Sequence, residues 1–166
     1  MRKLLLLIGI FFMSNVIAAQ NFEVTSTSFK QGGKIPVQYT CTGKDISPQL
    51  SWKNAPAPTE SFALICADPD APVGVWYHWV MFNIPKNVSQ IPENQLPQGV
   101  IGINSFGRMQ YNGPCPPPGK PHHYIFTIYA LNTQLNLPQG SDAETVKKAM
   151  EGHLIESAAV MGTFGR

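Results

Sequence analysis

Short apolar segments alternate with turn-forming residues along most of the chain. Within these segments the side chains either alternate between apolar and polar or form a brief apolar run, and both patterns are typical of β-strands. Seven segments share this pattern: residues 22–25, 35–41, 50–52, 62–67, 76–84, 124–131 and 158–164. Because helical patterns do not alternate with these segments, the chain is predicted to be mainly β, with packed antiparallel sheets.

Proline limits how the remaining chain can fold. Fifteen prolines fall between Pro36 and Pro138, which leaves little room for long helices and excludes an all-α protein. Pro36 lies inside the second predicted strand, so we expect that segment to be an edge strand or a bulge.

One helix is predicted near the C-terminus. Ser141 precedes Asp142-Ala143-Glu144, so the Ser141 hydroxyl and the Glu144 carboxylate can form a capping box. Apolar side chains then recur at helical spacing at Val146, Ala149, Met150 and Leu154. Gly152 interrupts this spacing, which leaves the end of the helix open between residues 152 and 155.

Residues 1–19 have the pattern of a secretory signal peptide. Arg2 and Lys3 precede an apolar run over residues 4–13, and small residues follow at Ala18 and Ala19, where the cleavage position stays open. The run is too short to span a bilayer, so we expect no integral membrane segment in the mature chain. Residues 20–166 are then a single exported domain, periplasmic or secreted.

The mature chain carries no net charge. Without Arg2 and Lys3 the twelve basic residues become ten, which equals the ten acidic residues. Binding to nucleic acid through its phosphates needs a dense basic face. We therefore expect no nucleic-acid partner.

Export exposes the three cysteines to oxidation, and an odd number leaves at least one thiol without an intramolecular partner. Cys66 lies in a predicted buried strand and is the best candidate for the free thiol. Cys41 and Cys115 both lie in loop-like sequence, where a disulfide could join two loops. The sequence leaves this pairing open.

Two carboxylates follow a predicted buried strand. Asp68 and Asp70 alternate with Pro69 and Pro72, which stiffen the turn and remove amide donors. A purely structural Asx turn is the alternative interpretation.

His78 lies in the next predicted strand. Strict alternation places it on one face with Trp76, Val80 and Phe82. A buried structural histidine is the alternative there, but a nearby carboxylate can fix the tautomer of an imidazole and raise its basicity.

A third polar region follows a proline-rich loop over residues 111–121. Gly113, Cys115 and Gly119 supply its available amides, and His122 and His123 follow directly. His122 alternates onto one side of the next strand with Tyr124, Phe126 and Ile128. Rigid amides beside imidazoles favour a phosphate or carboxylate over a cation.

These motifs resemble the phosphatidylethanolamine-binding protein family, in its bacterial Raf-kinase-inhibitor-like branch. The resemblance rests on Asp-Pro-Asp-Ala-Pro at 68–72, Trp-Tyr-His-Trp at 76–79, and Gly-Pro-Cys-Pro-Pro at 113–117 with His-His-Tyr at 122–124. It extends over residues 35–166 and includes the segments at 47–52, 104–107 and 162–166. Three motifs in the same order make accidental agreement implausible.

The resemblance implies a large central antiparallel sheet packed on a smaller sheet, with few helices, and a small surface pocket for phosphate-like anions. Carried over to this sequence, the ligand-binding residues are Asp68, Asp70, His78, Gly113, Pro114, Cys115, Pro116, His122 and Tyr124. The family commonly has arginine where this chain has His123, so a salt bridge from that arginine is not expected here. The resemblance also implies a possible homodimer. We expect no catalytic residues and no cofactor.

The polar residues support one physical hypothesis. Two carboxylates near an anion repel it unless protons compensate, so we expect Asp68 to orient an imidazole, with His78 as its partner, and anion binding to take up a proton. The expected function is an exported, non-enzymatic protein that binds phosphate-like anions or phospholipid headgroups.

Other functions stay open at this point. The main alternative is a protein-interaction module that inhibits a protease or kinase or acts on a host factor. A hydrolase using Cys115 and His122, or a metal site built from Asp68, Asp70, His78 and His122, is less favoured because no G-x-S-x-G or H-E-x-x-H motif is present.

Overall fold

The computed structural model describes residues 20–166. Within that range no helix is long and apolar enough to cross a membrane. The signal peptide predicted for residues 1–19 lies outside the described residues.

The described chain consists mainly of β-strands. They are β1 (Glu23–Thr25), β2 (Leu50–Lys53), β3 (Ser61–Asp68), β4 (Trp76–Pro85), β5 (Gln90–Ile91), β6 (Val100–Ile101), β7 (His122–Leu131) and β8 (Leu154–Phe164), with one helix, α1 (Ala143–Met150). Strands β5 and β6 were not predicted, because two residues are too few to show an alternating pattern.

The strands form two antiparallel sheets. The larger has the order β6-β4-β3-β7-β8, and the smaller has the order β1-β2-β5. All of their strand pairs are antiparallel, which confirms the predicted mainly β fold with a large sheet and a smaller one. β3 lies at the centre of the large sheet and is buried along nearly its whole length.

Each face of the large sheet carries its own apolar core. The larger core joins the two sheets and includes Trp52, Phe62 and Phe126. The second core lies on the opposite face under α1 and includes Val80 and Val146. Fully burying a side chain of this kind contributes roughly 1.5–3 kcal/mol, so these two cores hold the sheet in place from both sides.

The strand predicted for residues 35–41 is wrong. The chain instead makes a single 3-10 turn over Val37–Tyr39, in which Tyr39 N–H donates to Pro36 O and Thr40 N–H donates to Val37 O, both at 3.0 Å. These local bonds replace a strand ladder. Only the start of the segment reaches the large sheet, where Ile35 N–H donates to Thr163 O at 2.8 Å.

The helix begins one residue later than predicted. Asp142, rather than Ser141, is the N-cap, because its carboxylate accepts the Thr145 N–H at 2.8 Å. The Ser141 hydroxyl instead donates to Pro138 O at 2.8 Å. A carboxylate can satisfy the same orphan amide as a hydroxyl, so adjacent capping residues compete for this position.

The helix ends at Met150, which is earlier than residues 152–155, where the sequence pattern left its end undecided. Gly152 has φ of +78°, which glycine adopts without strain and which turns the chain into β8. Leu154, assigned to the helical pattern from sequence, is the first residue of that strand.

Candidate functional site

A surface cavity of about 240 Å³ opens where β3 ends and where β4 and β7 begin, on the face of the large sheet that carries the larger core. The residues that line it are Asp68, Ala71, Pro72, Val73, Trp76, His78, Phe106, Cys115, Pro116, Pro117 and His122. Its polar side chains come from strand ends and most of its apolar ones from the loops. The chain therefore builds a polar floor with apolar walls.

Asp68 and His122 form the buried pair of this floor. β3 pairs directly with β7, and the Asp68 Oδ2 atom lies 2.8 Å from Nδ1 of His122. Both residues are less than a tenth exposed. The carboxylate accepts the Nδ1–H and so fixes the tautomer of the ring. Our expectation that Asp68 orients His78 is wrong, because the β3–β7 register gives Asp68 a different histidine.

The other oxygen of Asp68 supports the turn that follows β3. Asp68 Oδ1 accepts the Asp70 N–H at 2.8 Å, which is the Asx turn considered as the structural alternative. The same carboxylate therefore serves both the turn and the cavity floor.

Asp70 lies outside the cavity and pairs with His123. Asp70 Oδ2 accepts the His123 backbone N–H at 2.8 Å and the ring Nδ1–H at 2.7 Å. The first of these bonds, followed by the second, lowers the pKa of Asp70. His123 thus binds Asp70 at the position where the family commonly has arginine.

A β-bulge places His78 in the cavity. Cys66 pairs with Trp79, and Ala67 pairs with Tyr77, so His78 is an extra residue in β4 with no partner in β3. The predicted alternation is wrong at this point. The face of β4 toward the larger core carries Trp76, Trp79, Met81 and Ile84, while Tyr77, Val80 and Phe82 lie on the face of the second core.

His78 is only 2% exposed and is held from several sides. Its Nδ1 atom lies 2.7 Å from Asn112 O and donates to that carbonyl, which leaves Nε2 as the remaining ring nitrogen. The rings of Phe106 and Tyr124 meet it edge-on, at 5.3 and 5.2 Å between centroids. Burial lowers the pKa of His78, an effect opposed by the Asn112 bond and by the negative charge of Asp68.

A network of amides behind His78 was not predicted as part of the site. Asn104 Nδ2 donates to Asn112 Oδ1 at 2.9 Å, and Asp45 Oδ1 accepts the Gly113 N–H at 2.6 Å. Asn104 and Asp45 are distant in sequence, and neither forms a recognisable motif with His78. Only the match of segment 104–107 to the family pointed to this region.

The proline-rich loop forms one wall of the cavity and is fixed at both ends. Cys115 is bonded to Cys41 in a disulfide, and Cys66 is the buried free cysteine. Arg166 Nε donates to Pro116 O at 2.6 Å, and Arg166 O accepts the Gly119 N–H at 3.3 Å. Two of the three amides considered as anion donors, those of Gly113 and Gly119, are thus used within the protein.

The mouth of the cavity is apolar. Val73 is 77% exposed and Phe106 is 38% exposed, and both line the opening together with Pro72 and Trp76. The lining contains no lysine or arginine among the residues that the structure describes. Among the described residues of the lining, the two imidazoles are therefore the only side chains that can become cationic.

The structure brings together part of the candidate set. Asp68, His78, Cys115, Pro116 and His122 line the cavity, whereas Asp70, Gly113, Pro114 and Tyr124 do not. Tyr124 is fully buried beneath His78, and its hydroxyl has no hydrogen-bond partner among the described residues. Burial, and then the charge of Asp68, raise the pKa of Tyr124, so it remains a protonated donor.

The four residues of the metal alternative do not converge. Asp70 faces His123 outside the cavity. Across residues 20–166, no group of three or more histidine, cysteine, aspartate or glutamate side chains is arranged to hold a metal ion.

Comparison with known proteins relates this chain to described sequences and structures. The family model for phosphatidylethanolamine-binding protein matches residues 25–165. A UPF0098 protein of Methanothermobacter thermautotrophicus is 48% identical over 145 residues, covering 84% of this chain and 95% of that protein. A UPF0098 protein of Aquifex aeolicus is 44% identical over 151 residues, covering 87% and 88%.

Two solved structures share the fold. A phosphatidylethanolamine-binding protein homologue from Chlamydia trachomatis superposes with a TM-score of 0.83 at 38% identity, covering 87% of this chain and 97% of its own. YbcL of Escherichia coli, a member of the mammalian PEBP family, also gives 0.83, at 35% identity and with coverage of 87% and 98%. The same two-sheet architecture thus recurs in both.

Proposed function

Because the chain belongs to the phosphatidylethanolamine-binding protein family, we propose that it is an exported, non-enzymatic protein that binds a phosphate-like anion or a phospholipid headgroup. The cavity formed by Asp68, His78 and His122 is the site. This proposal rests on one observation: two imidazoles and one carboxylate line a single small cavity with rigid walls.

The size and lining of the cavity support a small ligand with an apolar substituent. Its volume of about 240 Å³ lies below the roughly 300–1,000 Å³ typical of pockets for drug-sized ligands. The polar atoms lie at the floor, and the exposed Val73 and Phe106 lie at the mouth. A phosphate group at the floor with an apolar group at the mouth matches this division.

Anion binding at this floor is coupled to proton uptake. Burial lowers the pKa of His78, so its ring is neutral near pH 7 and its Nε2 atom accepts hydrogen bonds. An anion at Nε2 favours the protonated ring, which donates instead. Binding therefore draws a proton from solution, and affinity increases as the pH falls.

Titration calorimetry with inorganic phosphate at pH 6, 7 and 8 tests this coupling. We expect affinity to rise as pH falls and His78→Gln to abolish the rise. The matched control is His153→Gln, since His153 is exposed and bonds Asn132 near the opposite end of β7. An affinity that does not change between pH 8 and 6 would refute the proton coupling.

The export part of the proposal rests on two features. Residues 1–19 have the pattern of a signal peptide, and the Cys41–Cys115 disulfide suits an oxidising compartment. The intact mass of protein purified from its own cells should correspond to a chain that begins after residue 18 or 19. A mass that includes residues 1–19 contradicts export by this route.

A nucleophilic enzyme is disfavoured by the same disulfide. Cys115, the thiol nearest to His122 in the sequence pattern, is bonded to Cys41 and cannot act as a nucleophile in this state. Ser105 accepts the Tyr77 N–H at 2.8 Å and does not line the cavity.

The exposed apolar mouth favours one second candidate, a protein-interaction module. Val73 and Phe106 could contact an inhibited protease, a kinase or a host factor, with the cavity controlling that surface. The double variant Asp68→Asn with His78→Gln separates the two functions. It should abolish phosphate binding, whereas an interaction made by the mouth alone would survive.

A further inference from the structure

Asp45 lies behind the cavity wall and does not line the cavity. Its carboxylate accepts the Gly113 N–H at 2.6 Å and the side-chain amide of Asn112 at 3.3 Å. Asp45 has φ of +56°, in the left-handed region that aspartate, asparagine and glycine occupy more readily than other residues. Its backbone thus takes an uncommon conformation at the point where its side chain meets this loop.

The carbonyl of Asn112 and the N–H of Gly113 belong to one peptide unit. That unit is planar and rigid, so its two polar ends move together. Asp45 binds the N–H end at 2.6 Å, and His78 binds the carbonyl end through Nδ1 at 2.7 Å. Rotation of this peptide would break both hydrogen bonds at once.

The surroundings of this peptide are closely packed. A Cβ atom on Gly113 would lie 2.1 Å from Tyr39 O and 2.8 Å from Asp45 Oδ1, so a side chain cannot fit there. Asn104 Nδ2 holds the other side of Asn112 through Oδ1 at 2.9 Å. Among the described residues that bond this peptide, Asp45 is the one carboxylate, and hydrogen bonds to charged groups are roughly twice as strong as neutral ones.

We propose that Asp45 is a positioning residue for His78: by fixing the Asn112–Gly113 peptide it keeps the proton of the imidazole on Nδ1 and leaves Nε2 to meet the ligand. This inference rests on the proposed function, because the ligand is the phosphate group assigned to the cavity. Asp45 acts through the peptide and does not contact the ligand.

The charge of Asp45 adds to the effect of its hydrogen bonds. The ionisable groups around His78 are Asp68 on β3, His122 and Tyr124 on β7, and Asp45 behind the loop. The negative charges of Asp68 and Asp45 both raise the pKa of His78 against the effect of burial. Asp45 thus favours both the orientation of the ring and its proton uptake.

Two variants separate the effect of Asp45 on the position of the Asn112–Gly113 peptide from the effect of its charge. Asp45→Gly removes the carboxylate but tolerates the φ of +56°, and Asp45→Asn keeps an acceptor for Gly113 while removing the charge. The control is Glu93→Gln, because Glu93 accepts from Tyr39 on the neighbouring turn without touching Asn112 or Gly113. If Asp45→Gly fails to fold, Asp45→Asn still carries the test.

Nitrogen-15 NMR of His78 reports which ring nitrogen holds the proton. We expect the Nδ1–H tautomer in the parent and in Glu93→Gln, and a substantial Nε2–H population in Asp45→Gly. Phosphate affinity at pH 6 should fall about 10-fold in Asp45→Gly and about 3-fold in Asp45→Asn, as expected for the loss and the weakening of a charged hydrogen bond.

Two results would overturn the inference: an unchanged tautomer with parental affinity in both Asp45 variants, or equal losses in Glu93→Gln. If the parent itself binds no phosphate, the proposed function fails. The tautomer measurement still decides whether Asp45 positions His78.

Discussion

Two aspartate–histidine pairs, one from the end of β3 and one from the turn after it, contact β7 with nearly the same geometry but different burial. Asp68 meets His122 at 2.8 Å with side-chain exposures of 5% and 11%, whereas Asp70 meets His123 at 2.7 Å with exposures of 41% and 49%. Solvent screens the charges of the exposed pair, so that pair contributes little. In the buried pair, loss of one partner leaves a polar atom that water cannot reach and that has no hydrogen bond. The two pairs should therefore differ greatly in their effect on stability.

Urea denaturation of two alanine variants measures this difference. Asp68→Ala should lower the unfolding free energy by about 2–3 kcal/mol, because Nδ1–H of buried His122 loses its acceptor. Asp70→Ala should lower it by less than about 1 kcal/mol at neutral pH. Equal losses would contradict the assigned role of burial.

The small contribution of Asp70 should also depend on pH. Its lowered pKa means that the stabilisation is present above the pKa of the unfolded carboxylate and is lost as the pH falls through the folded value.

Residue types at the site were predictable, but their partners were not. The order of Asp68, His78 and His122 and their turn and strand context identified them as candidates. Which histidine meets Asp68 depends on the register between strands more than 50 residues apart, and the bulge at His78 leaves no mark on the alternating pattern. Asp45 and Arg166 act through backbone groups, which no side-chain motif reveals.

At the scale of elements, two connections are held together beside the cavity. The turn after Val37–Tyr39 reaches the proline-rich loop through the Cys41–Cys115 disulfide, and Cys41 N–H donates to Pro114 O at 3.1 Å. Tyr111 also donates its hydroxyl to Tyr39 O at 2.7 Å. The loop-like sequence around both cysteines indicated a possible link, but only the fold brings the two segments together.

Reduction of that disulfide should destabilise the protein and loosen the cavity wall to which Cys115 belongs. The bond spans 74 residues, and removing such a native cross-link costs about 2–5 kcal/mol of unfolding free energy. Urea denaturation with and without dithiothreitol measures the loss. The double variant Cys41→Ala with Cys115→Ala is the control, because reductant should not change its stability.

The predicted strand boundaries agree with the structure for the long strands of the large sheet. β3, β4, β7 and β8 are long enough for alternation or an apolar run to show, and their predicted segments fall within the observed strands. Segment 35–41 alternates equally well, yet Pro36 and the local bonds of the 3-10 turn determine its conformation instead. Alternation alone does not distinguish a strand from a bent segment packed on a core.

At the scale of the molecule, the helix and the candidate site lie on different faces of the large sheet. The cavity continues the face of the larger core, and α1 covers the second core on the other face. Helix packing should therefore be separable from ligand binding.

The variant Val146→Ala tests this separation. Val146 is fully buried under α1, and its truncation should lower the unfolding free energy by about 2 kcal/mol while phosphate affinity stays within about twofold. Lys148→Ala, at an exposed position of the same helix, should change neither quantity measurably. Loss of affinity in Val146→Ala at temperatures where the protein stays folded would show that the two faces are coupled.

The inserted residue in β4 makes strand length a condition for the site. His78 and Trp79 can both face the cavity side only because β4 has one residue more than β3 requires between Trp76 and Trp79. In a relative with one residue fewer between these tryptophans, the imidazole would take the place of Tyr77 and point toward the helix. Counting residues between the two tryptophans is therefore a more stringent criterion for recognising this pocket than the presence of the histidine itself.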